Sequence, residues 1–231
     1  MKIRTLLSII ISVLFVTSAV NAGERERPMR RGHAHQRGNE NSRPAPVNNV
    51  MIGNAVYGGN GCPQGTMQAV LSPDNLSFSL LFDKFIAEVS EATSGPRDVM
   101  TCDILIPMQV PEGMQMTITR VDLRGFSALP ERARGMLHSV FNFRGKGGDG
   151  NRMNLRYAFS GPIMENYELS SDTLTGLDVE TSPCGGDFKL RILNQLRVQS
   201  PRKREQASLT LDSIDGSSEA TYFISYGTCS R

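Results

Sequence analysis

The stretch GCPQGTMQAVLSPDNLSFSLLF, from Gly61 to Phe82, decides the fold class. Its second half alternates large apolar residues with mostly polar ones, which is the period of a β-strand that has one buried face. The apolar positions are Leu76, Phe78, Leu80 and Phe82. The turn-forming residues Ser72 to Asn75 come just before this strand. The stretch therefore predicts a β-hairpin that follows a cysteine-bearing turn.

The same alternation recurs in the middle of the chain and predicts two more hairpins. Residues 102–110 and 114–118 would form the second hairpin, joined by a turn at Glu112-Gly113. Residues 137–143 and 153–159 would form the third, joined by a glycine-rich turn. The aromatic and aliphatic residues of this third pair share one face.

The remaining segments complete an all-β pattern with some irregularities. Bulges are expected at Asp83-Lys84 and Thr119-Arg120, where the alternation changes phase, and residues 124–135 read as a loop. Residues 85–89 fit either a helix or a continuation of the first hairpin, and we prefer the strand. Later strands are expected at 167–169, 177–179, 188–198, 207–214 and 220–226. Roughly ten short strands without a sustained amphipathic helix indicate an antiparallel β-sandwich or jelly roll.

Four cysteines are expected to tie this fold together with two disulfides. They are Cys62, Cys102, Cys184 and Cys229. An even number of cysteines in an exported chain usually means disulfides, and the absence of a CxxC pair argues against a zinc knuckle or a thioredoxin-like motif. Three pairings are possible. We favour Cys62 with Cys102 and Cys184 with Cys229, because each bond would then close one half of the domain.

The N-terminal part of the chain predicts export. Lys2 and Arg4 precede an apolar run from Leu6 to Val16, so residues 1–22 read as a signal peptide that is too short to span a membrane. Residues 23–49 contain six arginines, three glutamates and almost nothing apolar, and are expected to form a disordered basic leader. Residues 50–231 would then form a single all-β domain in a periplasmic or extracellular protein.

Net charge argues against nucleic-acid binding by the predicted domain. From Val50 onward there are 17 Lys and Arg against 20 Asp and Glu, a net charge of −3, so the positive balance of the chain belongs to its first 49 residues. His33 and His35 of the leader are too few to make a metal site. No metal or cofactor is expected.

Several motifs together resemble a known secreted family. They are GCPQGT at 61–66, FDKF at 82–85, DILIPMQVPEGMQ after Cys102, SPCGG at 182–186, LTLDSIDGS at 209–217 and the final Cys229. In this combination the chain from Gly61 to Cys229 resembles domain of unknown function family 4360. The resemblance implies a signal peptide and a cysteine-framed all-β body, with no known activity or catalytic residue. Thr181 and Gly227-Thr228 stand where aromatic residues are usual in the family, which weakens the idea of a sugar-stacking surface.

No motif in the predicted domain indicates an enzyme. His138 is its only histidine and is expected on the face opposite Leu137, and there is no GxSxG nucleophile motif. Strand spacing alone does not bring the candidate carboxylates of a glycosidase to a defined separation. These candidates are Asp83, Glu88, Asp103 and Asp122.

Two further turns look like ion sites but lack what such sites need. The glycine-rich turn at 145–151 lacks the spacing and the helix of a phosphate loop, and its Asp149 and Asn151, like Asp212 and Asp215, are too few ligands for calcium. The leading hypothesis is a secreted binding or structural module whose ligand is extracellular, such as a polysaccharide or cell-surface component. An extracellular carboxylate-based hydrolase is the alternative.

Deletion of residues 23–49 is predicted to leave the domain folded, because such a charged segment without apolar periodicity does not contribute to a core. Limited proteolysis of the exported protein should remove the leader and stop near Val50. A leader that resists proteolysis under these conditions would contradict the prediction.

Overall fold

The computed structural model describes residues 50–145, 148–149, 152–172, 181–202, 204–211 and 220–229, and these residues form an all-β protein. The predicted signal peptide and leader lie outside the described residues. The strands are β1 (Met51–Ile52), β2 (Val56–Gly58), β3 (Met67–Leu71), β4 (Ser77–Phe82), β5 (Ile86–Val89), β6 (Arg97–Val110), β7 (Met114–Leu129), β8 (Arg134–Gly145), β9 (Gly148–Asp149), β10 (Met153–Ser160), β11 (Ile163–Asp172), β12 (Gly186–Gln199), β13 (Ala207–Thr210) and β14 (Ala220–Thr228).

These strands form two antiparallel sheets. Sheet A has the order β1-β6-β12-β8-β10. In addition, β2 pairs with β6, and β9 pairs with β8. Sheet B has the order β3-β4-β14-β7-β13-β5, and β11 pairs with β7. The inner faces of the two sheets meet where the ring of Phe141 of sheet A packs edge-on against Tyr222 of sheet B at 5.7 Å. The predicted β-sandwich is therefore confirmed.

Alternating burial along the long strands makes the core. In β6 every even-numbered residue from Cys102 to Val110 is buried, and in β12 every even-numbered residue from Phe188 to Val198 is buried. Tyr222 lies at the centre of the opposite layer, fully buried, with its ring stacked on Phe78 at 4.8 Å. The period of two that was visible in the sequence is thus the period of burial against the opposite sheet.

The first and third predicted hairpins are confirmed. Strands β3 and β4 pair across the turn at Ser72 to Asn75, where Ser72 N donates to Ser77 O at 2.9 Å. Asn75 adopts a positive φ of 60°, which asparagine tolerates better than most residues. Strands β8 and β10 pair directly, with Leu137 opposite Tyr157.

The second predicted hairpin is wrong, because β6 belongs to sheet A and β7 to sheet B. The turn at Glu112-Gly113 carries the chain from one sheet to the other, and Gly113 supplies a φ of 76° there. Alternation shows that a strand has one buried face, but it does not identify the neighbouring strand. Here β6 pairs with β12 over all fourteen of its residues, from Arg97 to Val110.

The predicted loop at 124–135 is also wrong, since β7 continues to Leu129. The small residues in this part of β7 allow other segments of the chain to pack closely against it. A Cβ on Gly125 would lie 2.1 Å from Thr210 O and 2.5 Å from the Tyr167 hydroxyl oxygen, so only glycine fits there. Small side chains inside a buried strand resemble a loop in sequence, and the difference depends on what packs against them.

Both predicted irregularities occur near the expected positions. Phe223 pairs with Arg120 and Ile224 pairs with Ile118, which leaves Thr119 unpaired as a bulge in β7. The second irregularity lies between β4 and β5. Strands β14 and β13 pair with the same edge of β7, one after the other, and on their far sides β14 pairs with β4 and β13 pairs with β5. Strands β4 and β5 therefore lie end to end, interrupted after Phe82, and the strand interpretation of residues 86–89 is confirmed.

Two disulfides join distant parts of the sandwich with the favoured pairing. Cys62 is bonded to Cys102 at a Cα–Cα distance of 5.4 Å, which ties the segment before β3 to β6. Cys184 is bonded to Cys229 at 5.7 Å, which ties the segment before β12 to the end of β14. The second bond connects sheet A to sheet B.

Removal of either disulfide is predicted to lower the free energy of unfolding by about 4 kcal/mol, because each bond closes a loop of about forty residues in the unfolded chain. The comparison is between Cys62→Ala/Cys102→Ala and Cys184→Ala/Cys229→Ala by denaturant unfolding. A change below about 1 kcal/mol in both double variants would contradict the prediction.

Burial raises the pKa values of three tyrosines, of which Tyr167 and Tyr222 are buried and Tyr226 is half-buried. Burial raises the pKa of Tyr222 to about 12, although polar contacts with Ser139 and Asn194 lower it in part. The side chains of Tyr222, Ser139 and Asn194 lie close together but make no hydrogen bond of ordinary geometry to one another. Burial also raises the pKa values of Tyr167 and Tyr226, whose hydroxyls donate to Thr210 O and Asn75 O.

Stability is predicted to fall as pH rises above about 10. An unfolded tyrosine loses its proton near pH 10 whereas Tyr222 holds it to about pH 12, so the folded state binds more protons in this window. For each extra proton that the folded state holds, the free energy of unfolding falls by about 1.4 kcal/mol per pH unit. Denaturant unfolding at pH 9 to 12 measures this slope, and Tyr222→Phe should reduce it. An unchanged slope in that variant would contradict the assignment.

Candidate functional site

We call the outward surface of the four long strands of sheet A the A face. It consists of the residues that point away from the core on four adjacent strands. They are the odd-numbered residues at 97–109 of β6 and 187–199 of β12, and the even-numbered residues at 134–144 of β8 and 154–160 of β10. Strands of fourteen residues make this surface roughly 45 Å long.

The A face concentrates positive charge. Its basic residues are Arg97, Arg134, Arg144, Arg156, Lys189, Arg191 and Arg197, and its acidic residues are Asp103 and Asp187. Arg97, Arg134, Arg156 and Lys189 are exposed, and the other basic residues are half-buried. Seven basic against two acidic residues give the A face a surplus of five, although the chain from Val50 onward is net negative.

One ion pair crosses the middle of the A face. Arg191 on β12 donates from Nε to Asp103 Oδ1 at 2.8 Å and from Nη2 to Asp103 Oδ2 at 2.5 Å, so the guanidinium and the carboxylate meet in a two-point contact. The pair is partly open to solvent, with 32% of the arginine side chain and 43% of the aspartate side chain exposed. A pair this exposed contributes little to stability but fixes the position of both groups.

Two hollows open where the short strands β1 and β2 border β6. The larger, of about 600 Å³, is lined by β1, by residues 107–109 of β6 and by residues 187–189 of β12. The smaller, of about 490 Å³, is lined by β2, by Leu105 and by the Arg191–Asp103 pair. Arg144 lines both hollows. They combine apolar walls with a few charged groups, as ligand sites do.

The opposite surface of the sandwich has no surplus of positive charge. We call the even-numbered residues at 120–128 of β7 and 164–172 of β11 the B face. Its two arginines are paired: Arg120 with Asp122 at 3.0 Å and Arg124 with Glu168 at 2.9 Å. Asp172 is its third acidic residue. The surplus of positive charge is therefore specific to one side of the molecule.

The candidate catalytic residues do not form a catalytic site in the described part of the chain. Asp103 lies on the A face and Asp122 on the B face, so this pair is on opposite surfaces of the sandwich. Asp83 is exposed in the interruption after β4, and Glu88 lies on β5. His138 faces away from the core, as predicted, and its Nε2 lies 2.7 Å from Asn154 Oδ1. These positions give no support to a carboxylate or histidine mechanism.

The described residues show neither a metal-ligand cluster nor a membrane-spanning helix. Within the described ranges, no three His, Cys, Asp or Glu residues come together as metal ligands. The part of the chain that the structure describes contains no helix that could cross a membrane. Of the turn pairs weighed for calcium, Asn151, Asp212 and Asp215 lie outside the described residues, as does the predicted strand at 177–179.

The A face is not apparent from the amino-acid sequence when charges are summed along the chain. A local signal does exist: Lys189, Arg191 and Arg197 all share the odd parity of β12. Parity alone still does not say that Arg97, Arg134 and Arg156 from other strands lie on the same surface. That juxtaposition follows from strand pairing.

Comparison with known proteins gives a family and one curated relative. The model of the family described as "Domain of unknown function (DUF4360)" matches residues 48–229. A protein of Arthroderma benhamiae described as "Uncharacterized secreted protein" is 27% identical over 249 residues, and the match covers 100% of both chains. The export predicted from the N-terminus thus agrees with a secreted relative and with two disulfides, and the chain is an exported protein.

Two solved structures match this chain at a distance. The structure of TmCBM61 in complex with beta-1,4-galactotriose is 11% identical with a TM-score of 0.26, covering 80% of this chain and 92% of that one. The enzymatically active domain of bacteriophage CBA120 tailspike protein 4 is 13% identical with a TM-score of 0.24, covering 80% of this chain and 20% of that one. At these TM-scores neither match defines the fold or the ligand of this protein.

Proposed function

We propose that this chain, which belongs to the family described as "Domain of unknown function (DUF4360)", is an exported module that binds a polysaccharide outside the cell through its A face. The observation that carries the proposal is the pair of adjoining hollows on one open, roughly 45 Å long strand surface. A surface of this length suits a chain-like ligand better than a small molecule that a single enclosed cavity would hold.

The geometry also supports binding rather than catalysis. The one carboxylate of the smaller hollow, Asp103, is already held in a two-point contact with Arg191. A glycosidase would need two carboxylates on one surface at a short, defined separation. The second acidic residue of the A face, Asp187, lines the other hollow. Recognition therefore depends on a prearranged surface rather than on a reactive group.

Export and disulfide bonding fit this role. A binding module outside the cell must stay folded without cytoplasmic maintenance, and its two disulfides reduce the freedom of the unfolded chain. We further propose that the domain spans residues 50–231 and that the mature protein is released from the cell rather than kept in a periplasm.

If the proposed function is right, the exported protein binds to a polysaccharide. The exported protein is incubated with cellulose, xylan, chitin, a β-1,3-glucan and polygalacturonate, and the bound fraction is measured after sedimentation or by affinity electrophoresis. At least one polysaccharide should retain it, and no reducing ends should be released during the incubation. Absence of binding to every polymer would contradict the proposal, and steady release of reducing ends would favour the hydrolase alternative.

Methyl NMR then locates the binding surface without changing the protein. The retained polysaccharide, or an oligosaccharide cut from it, should shift the methyl signals of Val56, Leu105 and Leu193 on sheet A. Val70 and Leu81 are exposed on sheet B and serve as matched controls. Shifts confined to the control methyls would place the binding surface on sheet B and contradict the assignment of the A face.

A further inference from the structure

The A face has the charge of a surface that binds a polyanion. It carries seven basic residues and only two acidic ones, and one of the two, Asp103, is paired with Arg191. Neighbouring outward residues are about 7 Å apart along a strand and about 5 Å apart between strands. These spacings are shorter than the screening distance of about 8 to 10 Å at moderate salt, so the fields of adjacent basic residues add together.

The basic residues form a band along the sheet rather than a single spot. Arg97, Gln199 and Arg134 occupy one cross-strand row, in which Arg97 Nη2 lies 3.5 Å from Gln199 Oε1. Ten residues further along β12, Lys189 and Arg144 occupy another row. The two rows are roughly 33 Å apart, so several repeating units of an extended polymer could contact the band at once.

The A face also lacks what a neutral sugar surface uses. No Phe, Tyr or Trp side chain lies at the described positions of the A face, and the two rings beside its hollows are not open platforms, since Phe188 is buried and Tyr57 is half-buried. Neutral sugars are commonly held on flat, exposed aromatic rings. The half-exposed aromatic rings on the other side of the sandwich include Phe223, and that ring is already covered by Arg120 at 3.9 Å. Affinity on the A face therefore has to come from charge and hydrogen bonds.

Six of the seven basic residues are arginine, which indicates the kind of anion. A guanidinium donates two parallel hydrogen bonds to a carboxylate, and the protein already uses this geometry between Arg191 and Asp103. The lack of stacking rings argues against single-stranded nucleic acid, whose bases stack on aromatic side chains. The exposed large apolar side chains beside the A face are Met51 and Val56 on the border strands β1 and β2, and none lies on the four A-face strands themselves, which argues against insertion into a membrane.

We infer that the ligand of the A face is an acidic polysaccharide whose carboxylates repeat along the chain, as in a polyuronate. This inference rests on the proposed polysaccharide-binding function and specifies its ligand class. The carboxylates contact the arginines of the band, and the polymer lies along the strands. Binding accordingly weakens as salt is added, since each contact releases counterions from the polyanion.

The test compares polygalacturonate with the same polymer fully methyl-esterified, which keeps the sugar backbone and removes its charge. The full exported chain should bind the acid form at least tenfold more tightly at moderate salt. Equal affinity for both forms would overturn the inference but leave the proposed function standing. Failure to bind any polysaccharide would overturn both.

Charge-matched variants locate the contact. Arg97→Ser/Arg134→Ser removes two exposed charges from the A face and should weaken binding to polygalacturonate at least tenfold. Arg120→Ser/Arg124→Ser removes two charges from the B face and should change binding less than twofold, once thermal unfolding shows that both variants are folded. Equal loss in the two variants, or no loss in either because the basic leader carries the binding, would overturn the inference.

Other polyanions serve as competing probes for the same surface. Heparin, random-sequence double-stranded DNA and vesicles containing phosphatidylserine are each compared with polygalacturonate at equal salt. Tighter binding to polygalacturonate that depends on Arg97 and Arg134 supports a carboxylated sugar polymer. Tighter binding to heparin, DNA or vesicles would overturn the assignment of the ligand class.

Discussion

Strand β12 pairs with both of its neighbours, and this pairing holds sheet A in register. It pairs with β6 from Gly186 to Gln199 and with β8 from Lys189 to Gln199, so its register fixes three long strands at once. Because side chains alternate across a strand, a slip of one residue would turn Arg191 and Arg197 into the core and Ile192 and Val198 out to solvent. One register therefore defines both the apolar core and the charged A face.

The two disulfides act on the same arrangement from its ends. Cys62–Cys102 holds the chain against β6 close to the first hairpin, and Cys184–Cys229 connects the start of β12 to the end of β14. The second bond links the two sheets where the β6–β7 turn also crosses between them, and Cys229 N donates to Gly113 O there at 2.9 Å. Both bonds leave the centre of the A face uncovered.

Charge is distributed by sheet rather than by segment. On the B face the two arginines are matched by neighbouring carboxylates, whereas the A face carries seven basic residues and two acidic ones. This difference explains how a chain that is net negative from Val50 onward can present a positive surface. The net charge of a domain thus limits its non-specific behaviour, while the local field of one face decides which ligands approach it.

The fold class, the two disulfides, the first and third hairpins and the bulge at Thr119 were predictable from the amino-acid sequence, because each depends on local alternation, turn chemistry or the redox environment of an exported chain. The crossing of the Glu112-Gly113 turn between sheets became visible in the folded protein alone, since alternation reports a buried face but not the partner strand. It also decided that Gly125 belongs to a strand, because the reason for that glycine is the approach of Tyr167 and Thr210. The A face was invisible for the same reason: its arginines lie up to a hundred residues apart in the chain, and pairing between strands brings them to one surface.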